Sequence, residues 1–308
     1  MKVRESLGDR VVNAVIIIIL STFSLLCLYP MYLVLIGSFS DPGAVAQGKV
    51  FLYPIQVFED NADIWAKMGA YVAAYAEAFK PEHNIIIGYR NSLFYTVAGT
   101  ALNMFLTIPI AYSLSHPKVK CKGTVMKLIV FTMYFSGGLI PSFILMGKLG
   151  FLNTIWAVLF NGGCSAYNLI IARSFFMSGV PRELEEAAEI DGCNPLQTFL
   201  KVVLPLSKAM LSVILLYYAV ARWNDFTSSL YYLTGKPELY SLQMVLRDLV
   251  TRANNAALRG DETAERYATI VAQLKYSTIV IASVPLLVIY PFIQKYFEKG
   301  VMLGSVKG

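Results

Sequence analysis

The chain has 308 residues, 56% of them hydrophobic and only 15% charged, with a mean hydropathy of +0.56. Ordinary soluble domains carry about 25% charged residues, so a soluble fold would have to expose large apolar patches, and a multi-span membrane protein is the first reading. The net charge of +6 is scattered, with no basic stripe and no nucleic-acid motif, which fits basic membrane-side loops and excludes a nucleic-acid-binding module.

In chain order, Lys2, Arg4 and Arg10 precede a run with no charge from Val11 to Ser40. That run is about twice the 7–15 residues of a signal-peptide core, so it is expected to stay as an anchor and span the bilayer. A spanning helix needs about 20 apolar residues. Six segments qualify: Val11–Leu35, with Pro30 expected to kink it; Ser92–Leu114; Leu128–Met146; Phe151–Ile171, interrupted by Asn161, Gly162 and Gly163; Val202–Ala221; and Tyr276–Ile293. The fifth is the weakest, because Lys208 lies near its start and Arg222 ends the clean run. The expected fold is an all-α polytopic membrane protein with six transmembrane helices. The four cysteines, Cys27, Cys121, Cys164 and Cys193, have no CxxC spacing and are read as free thiols.

Basic residues set the orientation. They crowd the N-terminus, the connection at Lys118, Lys120, Lys122 and Lys127, and the C-terminal Lys295, Lys299 and Lys307. Six alternating spans place all of these on one side, so both termini are expected in the cytoplasm. Residues 181–205 then fall inside, and the loops at about 41–91 and 222–275 outside. Within those loops Asp261–Leu274 reads as a helix with acids at its start, and Asp60–Phe79 is a candidate for a second external helix. No internal repeat is visible.

The segment from Pro181 to Leu211 is unusual for such a chain. Pro181 suits a first helical turn, and Glu183, Glu185 and Glu186 complement a helix N-terminus. Ala187 and Ala188 keep one flank thin. Gly192 can take the left-handed conformation that ends a helix. Asn194, Pro195 and Gln197 have the order of a capping box, and Leu196, Phe199, Leu200 and Val203 recur at helical spacing. The expectation is helix, sharp turn, helix; the bland reading is a solvated loop with a surface charge run.

The spacing Glu186-Ala187-Ala188, three residues, Gly192, nine residues, then Val202-Val203-Leu204-Pro205 resembles the EAA loop of ABC-transporter permeases, E-A-A-x3-G-x9-I-x-L-P, with Val202 for Ile as the departure. Tyr89–Thr100, Ile140–Leu159, Trp223–Phe226 and Gly300–Gly308 extend the resemblance over most of the chain. They point to the carbohydrate branch, maltose-type permeases of the second-subunit kind, and within it the LplC/YtcP-type permeases of Gram-positive oligosaccharide importers. The resemblance implies a type I ABC importer permease fold in a bacterial cytoplasmic membrane, with residues 1–308 as one transmembrane domain. It implies a second permease subunit, two ATP-binding subunits, an extracellular solute-binding lipoprotein and an oligosaccharide substrate. It also implies that Glu186, Ala187, Ala188, Asp191, Gly192, Leu204 and Pro205 form the ATPase-coupling element.

No G-x-x-x-x-G-K-[ST] occurs, so the chain has no P-loop, and ATP with its Mg is expected on the partner ATPase rather than here. The chain has two histidines, His83 and His116, with no H-E-x-x-H, so no metal site or catalytic role is expected. His116 is read as an interface residue. Candidate substrate-pathway groups are amides, aromatic rings and one carboxylate: Tyr134, Asn161, Tyr167, Asn168, Tyr217, Tyr218, Trp223, Asn224 and Asp225. Sugar faces stack on rings and hydroxyls bond amides, although rings and amides in a bundle also serve as plain packing. Asn161 and Asn168 would share one helix face. Arg222 and Asp225, three apart, are expected to pair and, with Trp223 and Asn224, to shape the outer mouth. An importer of a non-carbohydrate solute and a secondary transporter remain the alternatives.

Overall fold

The structure, a computed structural model, describes residues 7–56, 63–257 and 274–288. Every regular element among them is helical. Two helices are long and apolar enough to cross a membrane, or up to four if each of two bent pairs is one span. The masses of α1 (Leu7–Ser38), α2 (Pro42–Ala46) and α3 (Ile64–Ala78) belong to one compact unit, residues 1–83 with 246–283. The second unit comprises residues 84–245 with 284–308. The expected helix at Asp261–Leu274 and the motif at Gly300–Gly308 lie outside the described residues, apart from Leu274.

In the first unit α1 continues unbroken through Pro30. Its most apolar stretch has a mean hydropathy of 2.6 and no buried residue. A surface of this kind belongs against lipid or another apolar helix. Even Ser24 is satisfied within the helix, donating to Leu20 O at 2.7 Å. At its end Ser38 meets the Tyr75 hydroxyl at 2.7 Å, and Asp41 caps α2 by accepting from Gly43 N at 2.8 Å. The stretch expected to hold a helix at 60–79 does so as α3.

In the second unit α4 (Ile85–Ser115) is the organising element. Its buried face carries many small and polar residues, Gly88, Asn91, Ser92, Gly99, Thr100, Asn103 and Thr107, beside the large Ile85, Tyr95, Ile108 and Leu114. Its exposed face is apolar, with Ile86, Leu93, Phe94, Val97 and Phe105. This is the pattern of a helix that meets other helices through close backbone approach and hydrogen bonds while lipid takes its apolar side. A Cβ at Gly88 would lie 3.0 Å from Leu242 Cα and 3.1 Å from Val245 Cγ2.

The third expected span is not one straight helix. α5 (Lys122–Tyr134) and α6 (Leu139–Lys148) meet at 114°. Gly138, with φ +85°, makes the corner between them. The fourth is broken where the sequence predicts: α7 (Ile155–Phe160) ends before Asn161, Gly162 takes φ +69°, and α8 (Ala166–Ser178) resumes. α9 (Arg182–Ile190), α10 (Pro195–Thr198) and α11 (Leu204–Leu206) lead to α12 (Lys208–Trp223), with an 84° bend between residues 195–206 and α12. α13 (Thr227–Tyr232) and α14 (Leu242–Ala257) follow, and α15 (Leu274–Val288) is the last described helix. Ile108, Ala111 and Leu114 of α4 pack on Leu169, Ala172 and Phe176 of α8 and on Met210, Ile214 and Tyr218 of α12. The four cysteines are free.

Helix packing through glycine yields a paired expectation. Gly88→Ala should overpack α4 against the backbone of Leu242 and destabilise the chain by about 1–3 kcal/mol, seen as a lower Tm of the detergent-solubilised protein. Gly69→Ala in α3, where a Cβ meets nothing within 4 Å, should hold or raise the Tm through its better helix propensity, about 1 kcal/mol. Equal effects of the two would show that Gly88 is not a packing residue.

Candidate functional site

Two features are built from the candidate residues: the segment 181–205, and a cavity beside α12.

The segment folds through its caps. α9 follows Pro181 and holds Glu183 and Glu185 in its first turn, where carboxylates face the positive end of the helix. Gly192 takes φ +83° beyond its end, and Cys193 N donates back to Ala188 O at 2.9 Å, closing the turn. Asn194 Oδ1 accepts from Gln197 N at 2.8 Å, and Gln197 Oε1 accepts from Asn194 N at 3.0 Å, a complete capping box on α10. The second helix is not regular. Phe199–Val203 form a π-turn, whose wider winding accommodates the ring of Pro205 and its missing donor. The apolar repeat therefore divides: Phe199 and Val203 are buried, while Leu196 and Leu200 stay exposed.

One side of α9 is fastened to the end of α4. Glu185 is buried, accepts from the Tyr112 hydroxyl at 2.9 Å, and lies 3.6 Å from His116 Nε2. Arg182 donates to Ser115 O at 3.0 Å and Arg173 to Leu114 O at 3.1 Å. Both arginines take carbonyls that the helix end leaves without donors. The Tyr112 ring stacks on Phe199 with centroids 4.9 Å apart. Lys118 and Glu189 add an exposed ion pair at 3.3 Å, which contributes little. His116, read from sequence as an interface residue, is thus part of this junction.

The other side of α9 faces outward. Glu186, Ala187, Asp191 and Gly192 are exposed, and Glu186 makes no hydrogen bond or ion pair among the described residues. Ile190 is 87% exposed. Ala187 and Ala188 do not form one thin flank: Ala188 is buried inward, being one residue further around the helix. Leu204 is half-buried and Pro205 exposed.

The cavity, about 1020 Å³, lies between the α7–α8 break and α12. It gathers Asn161, Tyr167, Asn168, Tyr217, Tyr218, Asn224 and Asp225, together with Asn103, Ser165, Arg222 and Thr227. Two sequence candidates stand apart. Trp223 is buried, edge-on to Tyr89 at 6.0 Å, and Tyr134 is exposed at the end of α5. Asn161 and Asn168 do not share a helix face, because the break separates α7 from α8. They meet at the same cavity instead.

Arg222 and Asp225 form no ion pair with each other; Arg222 is the structural centre of the cavity wall. Its guanidinium donates to Val158 O at 2.6 Å, Leu159 O at 2.9 Å and Asn103 Oδ1 at 2.8 Å. It thereby caps α7 and ties α7, α4 and α12 together. Asp225 accepts from Thr227 Oγ1 at 2.9 Å, from Ser228 N at 3.0 Å and from Ser228 Oγ. The expected pair fails because α12 ends at Trp223, with Asn224 as its cap, so Asp225 leaves the shared helical face and serves the start of α13. The Tyr218 hydroxyl shares a hydrogen with Thr107 Oγ1 at 2.6 Å and accepts from Ser165 N at 3.0 Å, so it joins three helices. Tyr167 and Tyr217 remain partly open, with ring centroids 6.4 Å apart. Among the described residues no three His, Cys, Asp or Glu cluster as metal ligands. The wall offers rings, amides and hydroxyls, a donor set suited to a hydroxyl-rich solute.

The sequence matches the family described as "Binding-protein-dependent transport system inner membrane component" over residues 85–303. "Protein LplC" of Bacillus subtilis (strain 168) is 36% identical, over 98% of this chain and 96% of that one. The "Polygalacturonan/rhamnogalacturonan transport system permease protein YtcP" of the same organism is 37% identical, over 97% and 99%. Among solved structures, a "bacterial ABC transporter involved in the import of the acidic polysaccharide alginate" contains a chain with a TM-score of 0.78 and 32% identity, over 96% of this chain and 100% of that one.

The Arg222 contacts lead to a test of the node. Arg222→Met leaves the carbonyls of Val158 and Leu159 buried without donors, at about 1–3 kcal/mol each, and should sharply reduce the yield of monodisperse protein. Arg222→Lys should recover part of it. The double exchange Arg222→Asp with Asp225→Arg should fail like Arg222→Met; recovery of yield and Tm by the exchange would show that the two charges act as a pair after all.

Proposed function

The chain belongs to the family of binding-protein-dependent transport system inner membrane components, and on that premise we propose that it is one permease half of an ATP-driven carbohydrate importer, specifically for oligosaccharides. The observation that carries the coupling part is the two-sided α9: Glu185 and Arg182 hold it to α4, while Glu186, Ala187, Asp191 and Ile190 are presented outward. The similar polygalacturonan/rhamnogalacturonan permease YtcP and the alginate importer support the substrate class.

In this proposal residues 1–308 form one transmembrane domain with six spans and both termini in the cytoplasm. The loops at about 41–91 and 222–275 are external, and residues 181–205 are the cytoplasmic coupling loop. A second permease subunit completes the pathway, two ATP-binding subunits hold ATP and Mg, and an extracellular solute-binding lipoprotein delivers the sugar. The chain itself is non-catalytic. Glu186 and Asp191 meet the ATPase, Ala187 permits close approach, and Gly192 makes the turn. Ala188, Leu204 and Pro205 shape the inner side of the loop. Asn161, Tyr167, Asn168, Tyr217, Tyr218, Asn224 and Asp225 line the solute path on this half. Tyr134 and Trp223, which the cavity leaves out, belong to helix packing or a subunit contact instead.

Coupling and topology can be measured separately. Gly192→Pro cannot adopt φ +83°, and Glu186→Ala removes the exposed carboxylate; both should abolish substrate-stimulated ATPase activity in reconstituted complexes without loss of membrane insertion. Normal stimulation in assembled Gly192→Pro complexes would refute the coupling role. In a cysteine-free background, a cysteine at position 236 should react with an impermeant maleimide in intact cells and one at position 120 only after permeabilisation. Reaction of position 120 in intact cells would reverse the orientation.

A further inference from the structure

A groove of about 640 Å³ runs along α4 and shares no residue with the cavity described above. Met104, Phe105 and Ile108 of α4 form one wall, and Leu196, Leu200 and Leu204 form the other. Leu211 of α12 also lines it. Its only polar residues are Ser113 and Tyr112, and the Tyr112 hydroxyl is already spent on Glu185. Phe105, Leu196 and Leu200 are exposed, so the groove opens to the surroundings of the chain. The volume lies within the range of small-ligand sites, about 300–1000 Å³.

Its length points to one kind of occupant. α4 is long and apolar enough to cross a membrane, and it ends at Ser115, just before His116, Pro117 and Lys118. That end therefore belongs at a bilayer surface. The groove takes up Met104 to Ser113, about 13 Å at about 1.5 Å per residue. One leaflet supplies about 15 Å of hydrocarbon, half of the bilayer core of about 30 Å. A helix that crossed the whole bilayer would also lean on α4 beyond Met104, where the lining stops. The groove has the reach of a single lipid tail instead.

The charges at the groove are one-sided. From Pro195 to Leu211 there is no acid, and the ionisable residues are Lys201 and Lys208. Lys201 lies between the lining residues Leu200 and Leu204, and Lys208 lies one helical turn before Leu211. Both are exposed, and neither makes a hydrogen bond or ion pair among the described residues. On the other wall, residues 104–115 carry no charge. Of the acids on α9, Glu185 is held by the Tyr112 hydroxyl and Glu189 by Lys118, while Glu183 and Glu186 are exposed and line no part of the groove.

We propose that this groove binds an anionic phospholipid of the surrounding bilayer. One acyl chain lies along α4 between Met104 and Ser113, and the headgroup phosphate sits at Lys201 and Lys208. Basic groups beside an apolar recess at the membrane surface are the arrangement that holds acidic headgroups. The bound chain fills the space between α4 and the π-turn Phe199–Val203, and so braces residues 181–205 against the membrane helix. The inference needs the membrane location of the family, and neither the sidedness of the chain nor the solute it carries.

The test places a photoreactive p-benzoylphenylalanine at the exposed position 105 of the full chain. The chain is assembled with its partner subunits in vesicles of equal parts phosphatidylglycerol and phosphatidylcholine with the same acyl chains. After irradiation, adducts on this chain are weighed by mass spectrometry. Phosphatidylglycerol adducts should exceed phosphatidylcholine adducts about tenfold, a ratio that two lysines near an acidic headgroup support. Lys201→Gln with Lys208→Gln should bring the two within about twofold. Lys120→Gln with Lys127→Gln, which are exposed lysines outside the groove, should leave the ratio unchanged. Leu200→Trp, which fills the groove from an exposed position, should remove most of the adduct, and Ile144→Trp on α6 should not. Equal adducts in the wild-type chain show bulk lipid only and overturn the proposal. An unchanged ratio in the Lys201 and Lys208 variant overturns the headgroup site. A cross-link to a polypeptide in place of lipid overturns the occupant. The wild-type ratio and the lysine variants decide the matter even if Leu200→Trp does not assemble.

Discussion

A guanidinium at the end of an apolar helix has to find acceptors inside the protein. A buried charge left without hydrogen-bond partners is costly. Arg222 solves this with carbonyls rather than with an acid, taking Val158 O and Leu159 O from the end of α7 and Asn103 Oδ1 from α4. Much of the surrounding sequence follows from that choice. α7 ends at Phe160, so its last carbonyls are free to accept. Gly99 must remain small, since a Cβ there would lie 2.9 Å from Arg222 Nε. The break after α7 then turns Asn161 to Ser228 and brings the start of α8 to the cavity.

Segment 181–205 uses the same device at the C-terminal end of α4. Arg173 and Arg182 take the carbonyls of Leu114 and Ser115, as Arg222 takes those of α7. Glu185, the inward carboxylate of α9, is held by the Tyr112 hydroxyl, which also fixes the Tyr112 ring against Phe199. The outward carboxylate, Glu186, is left without a partner among the described residues. Adjacent acids on one short helix thus have different environments because successive residues are about 100° apart around it. One belongs to the fold and the other to a surface.

Local features were legible in the sequence because local chemistry determines them. The capping box at Asn194 and Gln197, the left-handed Gly192 and the break at Asn161–Gly163 depend on residues within a few positions of one another. The α5–α6 corner was hidden inside an apolar run, where hydropathy cannot distinguish a straight helix from a bent one. The Arg222–Asp225 pair was inferred from helical spacing, but the helix stops between them, and a spacing rule holds only where the helix continues. Tyr112 with Glu185, 73 residues apart, left no local signal. The cavity residues were found by residue type, yet Asn161 and Asn168 came together through the break between α7 and α8 rather than the helix face expected for them.

α4 joins the two nodes. Tyr112, Leu114 and Ser115 meet α9 and α8 near residues 173–185, while Thr107 and Asn103 meet Tyr218 and Arg222 at the cavity wall. From Tyr112 to Asn103 the helix rises only about 13 Å, at about 1.5 Å per residue. A displacement of α9 relative to its fastenings would therefore load the helix that carries the cavity's own anchors. Between the nodes lies Pro109, inside α4, where the missing N–H removes one rung of the helical ladder. The most compliant point of the strut consequently falls between the part held by residues 173–185 and the part held by Arg222. In a rigid helix the two nodes would shift as one. With a rung removed at Pro109, the part of α4 that meets residues 181–205 is less rigidly tied to the part that meets Arg222.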